Sequence, residues 1–326
     1  MHKAAFGRPF FTISEARGAN SAVELAYCVL KFFVGLSIRL TGLRGPVIDK
    51  EMLVEVTFDV VISSPDESVD MKTGLDTLQG ISNATRRIAE AVLAGDVVQR
   101  LNHKSGVRTT LKKTFKGSYG QIYSLDVVDA KLNKSLKSIT RPGFVELMEY
   151  FLKEAIYEDG GELSSRPQRV VDKLGDSAEQ LIQELRTSCM GEIHEVSKKF
   201  GYRVKIRHRS GANRTAVGSF DARTFLSLQA EVDAKDTELV AGITRFNNKT
   251  GNGRLQLVGE KDTSAFGFAG QYSAIKFEAK KVFSGNLDRN NGLDPDRWKY
   301  IRLIANPVRL RDGRVVKYII KGYRED

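Results

Sequence analysis

The 326-residue chain changes texture along its length. From residue 52, "MLVEVTFDVVI" partly alternates apolar with polar positions and is rich in β-branched residues, which predicts a strand over Leu53 to Ile62. "SSPDES" supplies turn chemistry. A helix then spans about Gly74 to Leu93, with Leu75, Leu78, Ile81, Ile88 and Val92 as its apolar stripe and Gly95 as its stop. Val107 to Phe115 and Gln121 to Val128 read as a hairpin, with Gly117 and Gly120 freeing the connecting turn. "GFVELMEYFLKEAIY" repeats its apolar residues at three and four, as a helix does. One long helical pattern runs from about Arg169 to Phe200, with Gly191 as a candidate interruption.

After Gly201, short strands and Gly/Asn turns replace the long helices. Candidate strands are Leu239 to Phe246, Gly253 to Val258, Ser264 to Phe268, Ala274 to Val282, Tyr300 to Leu310 and Val315 to Gly322, with "NNKTGNG" and "RDGR" as turns. Five or six short strands in so little chain predict a small barrel. The expected fold class is α+β: a mixed N-terminal domain with a hairpin and long helices over 52–205, then a linker and small β-barrel over 206–326. Residues 1–51 stand apart as a leader, either a docking helix or a segment appended upstream of Met52. Its apolar stretch Val23 to Gly42 carries Glu24, Lys31 and Arg39, which argues against a membrane span.

"VEVTFDV", "LDTLQGISNATRRIAEAVL", "KGSYGQIYSLDV" and "VAGITRFNNKTGNGRLQLV" occur in an order that resembles an uncharacterised bacterial two-domain family ending in a five-stranded β-barrel. The resemblance covers roughly 52–323. It implies the domain layout and a setting among mobile-element or phage-defence genes. It implies no catalytic residue.

Composition adds a direction. Lys plus Arg number 51 against 40 Asp plus Glu, a net charge of +11, so polyanions are the natural partners. The two cysteines, Cys28 and Cys189, form no metal or disulfide pattern and fit a reducing cytoplasm. Three basic clusters stand out. Arg100, His103, Lys104, Arg108, Lys112, Lys113 and Lys116 crowd the first hairpin. Lys198, Lys199, Arg203, Lys205, Arg207, Arg209 and Arg214 form a run without an acid. Arg297, Lys299, Arg302, Arg309, Arg311, Arg314, Lys317 and Lys321 close the chain, interleaved with Trp298, Tyr300, Tyr318 and Tyr323. Cations neutralise phosphates and aromatic faces stack on unpaired bases. The candidate nucleic-acid contacts are therefore Arg203, Lys205, Arg207, Arg209, Arg214, Trp298, Lys299, Tyr300, Arg302, Arg309, Arg311 and Arg314.

Acidic motifs point less clearly to chemistry. Gly117-Ser118 with Asp126 and Asp129 imitates a nucleotidyltransferase site, but the acids are three apart and cannot share one face of a straight strand. Asp66 with Asp70 and "LDRNNGLDPD" lack the spacing of a nuclease or calcium centre, and Asp221 with Asp233 is better spaced but falls on no recognisable pair of strands. No catalytic residue, metal site or cofactor is expected. The leading reading is a non-catalytic bacterial protein that contacts nucleic acid, with a role in phage defence implied by the resemblance. The alternatives are a protein–protein interaction subunit or homo-oligomer, and an enzyme of the nucleotidyltransferase or metal-nuclease kind.

Overall fold

The structure is a computed structural model that describes residues 54–97, 105–115 and 119–324, all within one unit, Lys50–Asp326. The leader with Cys28, the hairpin residues Arg100, His103 and Lys104, and the Lys116-Gly117-Ser118 turn lie outside the described residues.

Five antiparallel strands form the first sheet: β1 (Val54–Ile62), β2 (Val107–Phe115), β3 (Tyr119–Val127), β4 (Val204–Ser210) and β5 (Asn213–Phe220), in the order β2-β3-β1-β4-β5. Alternation along β1 sends Val56, Phe58, Val60 and Ile62 to a closed core on one face. Helix α1 (Met71–Ala94) packs on that face, its Thr85 hydroxyl 3.2 Å from the Tyr123 hydroxyl. Asp70 caps its start through the Thr73 amide, and left-handed Gly95 ends it. Two helices follow β3, α2 (Ala130–Ile139) and α3 (Arg141–Ala155). Sequence periodicity did not reveal α2.

The long helical pattern is broken in four, giving α4 (Ser165–Leu174), α5 (Asp176–Ser188), α6 (Met190–Ile193) and α7 (Glu195–Phe200). Gly175, at φ +53° and ψ −128°, makes the first break, so the interruption is not at Gly191. Gly80 of α1 lets α6 approach closely, since a Cβ there would meet the Ile193 amide. Buried His194 bridges the next turn, its Nδ1 donating to the Met190 carbonyl at 2.7 Å and its Nε2 meeting the Thr224 hydroxyl at 2.8 Å. Thr224 lies in α8 (Ala222–Ser227), closed by a capping box with Asp221.

The expected domain boundary shifts. Residues 204–220 are not a linker: Val204, Ile206, Val217 and Phe220 are buried in the first core, and the barrel begins only at β6 (Glu231–Val232). The barrel strands β7 (Thr237–Phe246), β8 (Gly253–Leu257), β9 (Thr263–Phe268), β10 (Ile301–Arg309) and β11 (Val315–Arg324) close in the order β7-β8-β9-β11-β10, with β9 and β11 parallel and β6 paired to the edge of β10. Ala274 to Val282, expected as a strand, instead opens a helix, α9 (Phe277–Asn290). Phe283 packs among Phe246, Phe266 and Phe268 inside the barrel. One turn on, Asn286 accepts the Ile243 amide, and Asn290 holds both the carbonyl and the amide of Lys299. Helical spacing of 283, 286 and 290 therefore overrides the local β-like texture.

Polar contacts weld barrel to helices. Arg245 reaches Asp159 at 2.6 Å and Glu154 at 3.4 Å, and Lys317 reaches Glu179 at 2.7 Å. The 247–252 turn docks through Asn247 on Asp172 and Asn252 on Glu179. Gly251, at φ +76°, leaves room for the Tyr272 ring. No described helix is long and apolar enough to cross a membrane.

Burial holds His194 below its ordinary value of 6.5. The folded state therefore keeps it neutral while the unfolded chain takes up a proton near 6.5, so its contribution to stability is full above that pH and declines as pH falls below it. His208, half-buried against Phe58, is lowered by burial as well. The thermal midpoint is expected to fall between pH 7.5 and 5.5, and to fall less in His194→Gln. An equal slope in the two proteins would contradict this.

Candidate nucleic-acid interface

The first sheet has a second face, opposite the helices. Even positions of β1 point into the core, so Glu55, Thr57, Asp59 and Val61 point outward. Register carries that face across the sheet. Asp126 and Arg108 stand level with Glu55, and Thr110 and Ser124 with Thr57. On the other side Arg207 pairs with Asp59 and Lys205 with Val61, while Arg209 faces Arg214. A bulge between Leu111 and Lys113 carries Lys112 to the same face, where its Nζ lies 3.3 Å from Glu55. Seven cations from β2, β4 and β5 thus share a surface with three carboxylates.

At its centre Asp59 is fully buried and accepts from Arg207 Nε at 2.6 Å and Arg209 Nη1 at 2.9 Å, with Arg214 Nε at 3.4 Å. One carboxylate holds three guanidiniums, leaving a net positive cluster. The Phe115 ring lies across Gly120 and sits 5.9 Å from both Arg207 and Arg209. Around this centre Arg108, Lys113 and Lys205 are exposed and have no ion pair with a described residue. Along the adjoining edge Ser124 Oγ and Asp126 Oδ1 are buried without a protein partner, although Thr110 donates to the other Asp126 oxygen at 2.6 Å.

The sequence-derived contacts divide on this structure. Lys205, Arg207, Arg209 and Arg214 come together with Arg108, Lys112 and Lys113 of the first hairpin. Arg203 stands just before β4, paired at 3.6 Å with Asp221. The barrel residues do not join them and do not form one patch. Lys299 and Arg302 lie where β10 starts, while Arg309, Arg311 and Arg314 lie where it ends, about 20–25 Å away along the strand. Arg309 pairs with Asp233, Lys317 with Glu179 and Lys321 with Asp236. Trp298 covers Gly242 and donates to the Leu293 carbonyl, Tyr300 donates to the Pro295 carbonyl, and Tyr318 is buried. These rings serve the barrel rather than standing free to stack on bases.

The acids of the sequence motifs hold local structure. Asp129 caps α2 through the Lys131 and Leu132 amides, Asp70 caps α1, Asp221 caps α8, and Asp66 closes the turn at Ser68. "LDRNNG" ends α9. Among the described residues no three His, Cys, Asp or Glu side chains gather as a metal site.

No protein-family model matches this chain, and no curated protein or solved structure matches it significantly. Geometry and charge carry the functional reading.

Asp59→Asn removes the charge that the three arginines share. Two charge-assisted bonds to Arg207 and Arg209 weaken, at a cost of about 2 kcal/mol. The expected result is a lower thermal midpoint in low salt, of which added sulfate recovers more in the variant than in the parent. A midpoint unchanged in low salt would show that the arginines do not need Asp59.

Proposed function

We propose that this chain is a non-catalytic nucleic-acid-binding protein that contacts the phosphate backbone through the outer face of its first sheet. The observation that supports the reading is the convergence of two basic clusters, about 100 residues apart in sequence, onto that one face. A flat, cation-rich sheet with one aromatic ring suits backbone contact more than base readout. The surface of the barrel plays a smaller part than composition suggested, because its cations are spread along β10 or engaged with acids. The phage-defence setting implied by the family resemblance accords with a nucleic-acid ligand.

A protein partner is the second reading. It is favoured by the apolar groove between α1 and β2, where Leu75 and Leu111 are exposed beside Leu78 and Tyr123.

Fluorescence anisotropy with labelled 20-mer single and double strands across a sodium chloride series separates the two. Backbone contact predicts affinity that falls about tenfold or more between 50 and 200 mM salt. The double variant Lys113→Glu/Lys205→Glu should abolish that binding without lowering the thermal midpoint, since neither side chain has an ion pair with a described residue. Arg207 and Arg209 are poorer targets, because their loss also unpairs buried Asp59. Binding that ignores salt, or survives the double variant, would overturn the proposal.

A further inference from the structure

A cavity lies away from this sheet face, on the helical side, where α2 and α4 flank the C-terminal turn of α1. It has a volume of about 680 Å³, within the range of small-molecule sites. Its polar lining is of one sign. Lys134 and Lys137 enter from α2, and Arg166, Arg169 and Lys173 from α4, while no carboxylate among the described residues lines it. The three α4 cations stand at i, i+3 and i+7, a single stripe about 10 Å long. None of the five forms an ion pair with a described residue. The acid of α4, Asp172, is turned away and engaged with Gln168 and Asn247.

Two of these charges have an ordinary cause. Lys137 and Lys173 occupy the last turns of their helices, where a cation offsets the helix dipole. That explanation does not reach the others. Lys134 lies in the middle of α2, and Arg166 sits in the first turn of α4, where the dipole disfavours a cation. Three helix ends each contribute about half a negative charge at most, too little to balance five full charges. An exposed cluster of this size around a concave site offers several charges at once to an anion from solution.

The rest of the lining narrows the ligand. Ser135 and Ser138 supply hydroxyls beside the cations. At the last turn of α1 the Gly95 amide satisfies the Ala91 carbonyl, while the carbonyls of Val92 and Leu93 that follow have no partner within the helix. The site therefore offers donors and positive charge along two walls and acceptors on its floor. We propose that this cavity binds a small polyphosphorylated ligand of the nucleotide class, its phosphates held by the α2 and α4 cations and its amino or hydroxyl donors turned to the end of α1. This site is separate from the sheet face and does not rest on nucleic-acid binding there.

Isothermal titration calorimetry on the full chain tests it, with adenosine triphosphate, guanosine triphosphate, inorganic triphosphate and orthophosphate as probes at constant ionic strength. The expected result is saturable binding of a triphosphate at one site per chain, tighter than orthophosphate by at least tenfold. The double variant Lys134→Ala/Arg169→Ala, which changes only exposed side chains, should weaken it at least tenfold. The sheet variant Lys113→Glu/Lys205→Glu should leave it unchanged. Absence of saturable heat with all four probes at millimolar concentration overturns the proposal. So does triphosphate binding that is lost in the sheet variant but kept in the cavity variant, and so does a cavity variant that impairs only the 20-mer strands.

Discussion

A buried carboxylate surrounded by three guanidiniums is what allows the first sheet to exist in its observed form. Arg209 and Arg214 stand directly opposite each other on β4 and β5, a pairing of like charges that opposes strand association. Arg207 adds a third positive charge two residues away. Asp59, on the neighbouring strand and wholly shielded, reaches all three. Its own burial would be costly without them, and their crowding would be costly without it. Because one negative charge answers three positive ones, the strands are held together while the outer face stays positive. Structural need and surplus positive charge thus meet in the same atoms.

Elsewhere, positive charge is used for assembly. Arg245, Arg254 and Lys317 of the barrel pair with Asp159 and Glu179 of the helical layer. Burial opposes the charge on Glu179, yet Lys317 beside it holds its carboxyl below the usual range. Glu154 has the opposite balance, with burial raising it despite the Gly160 amide and Arg245. The acids of the 146–195 stretch, which in sequence set the helices apart from the basic segments, are in part the sockets for these barrel cations. A cluster of like charge in sequence therefore does not predict a free surface. What matters is which acids the fold brings alongside, and the third cluster shows it, since Arg309, Lys317 and Lys321 all find partners.

The barrel strands were legible because their apolar alternation and Gly/Asn turns agree with the tertiary outcome. β4 and β5 were not. "VKIRHRS" has only Val204 and Ile206 as core residues, and its charged positions read as a basic linker until β1 is placed beside it. α9 was hidden for a related reason: "AIKFEAKKVF" alternates like a strand, while the residues that fix it as a helix, Phe283, Asn286 and Asn290, lie further on and act by packing and hydrogen bonding inside the barrel. The break at Gly175 needed only a glycine to be recognised as a stop, but an uninterrupted apolar period on both sides concealed it. Of the basic sites, the sheet face required register between strands about 100 residues apart. The cavity has a local signal in Arg166, Arg169 and Lys173, at helical spacing, but it is masked because the surrounding helical stretch is rich in acids.

Among the described residues three groups of cations stand out: those consumed at the seam between helices and barrel, those gathered on the sheet, and those lining a cavity on the helical side. The last two differ in shape, and shape decides what each can hold. A broad sheet face presents its charges to solvent at strand spacing, a shape suited to an extended anion met through many weak, screened contacts. A concave site surrounds a compact anion and removes it partly from water, so fewer charges act more strongly on it. Because α1 and the core separate the two surfaces, charge removed from one leaves the local geometry of the other intact. The two proposed ligands, one extended and one compact, therefore do not compete for the same residues, and any coupling between the two surfaces has to pass through α1, whose middle packs beneath the sheet and whose last turn lines the cavity.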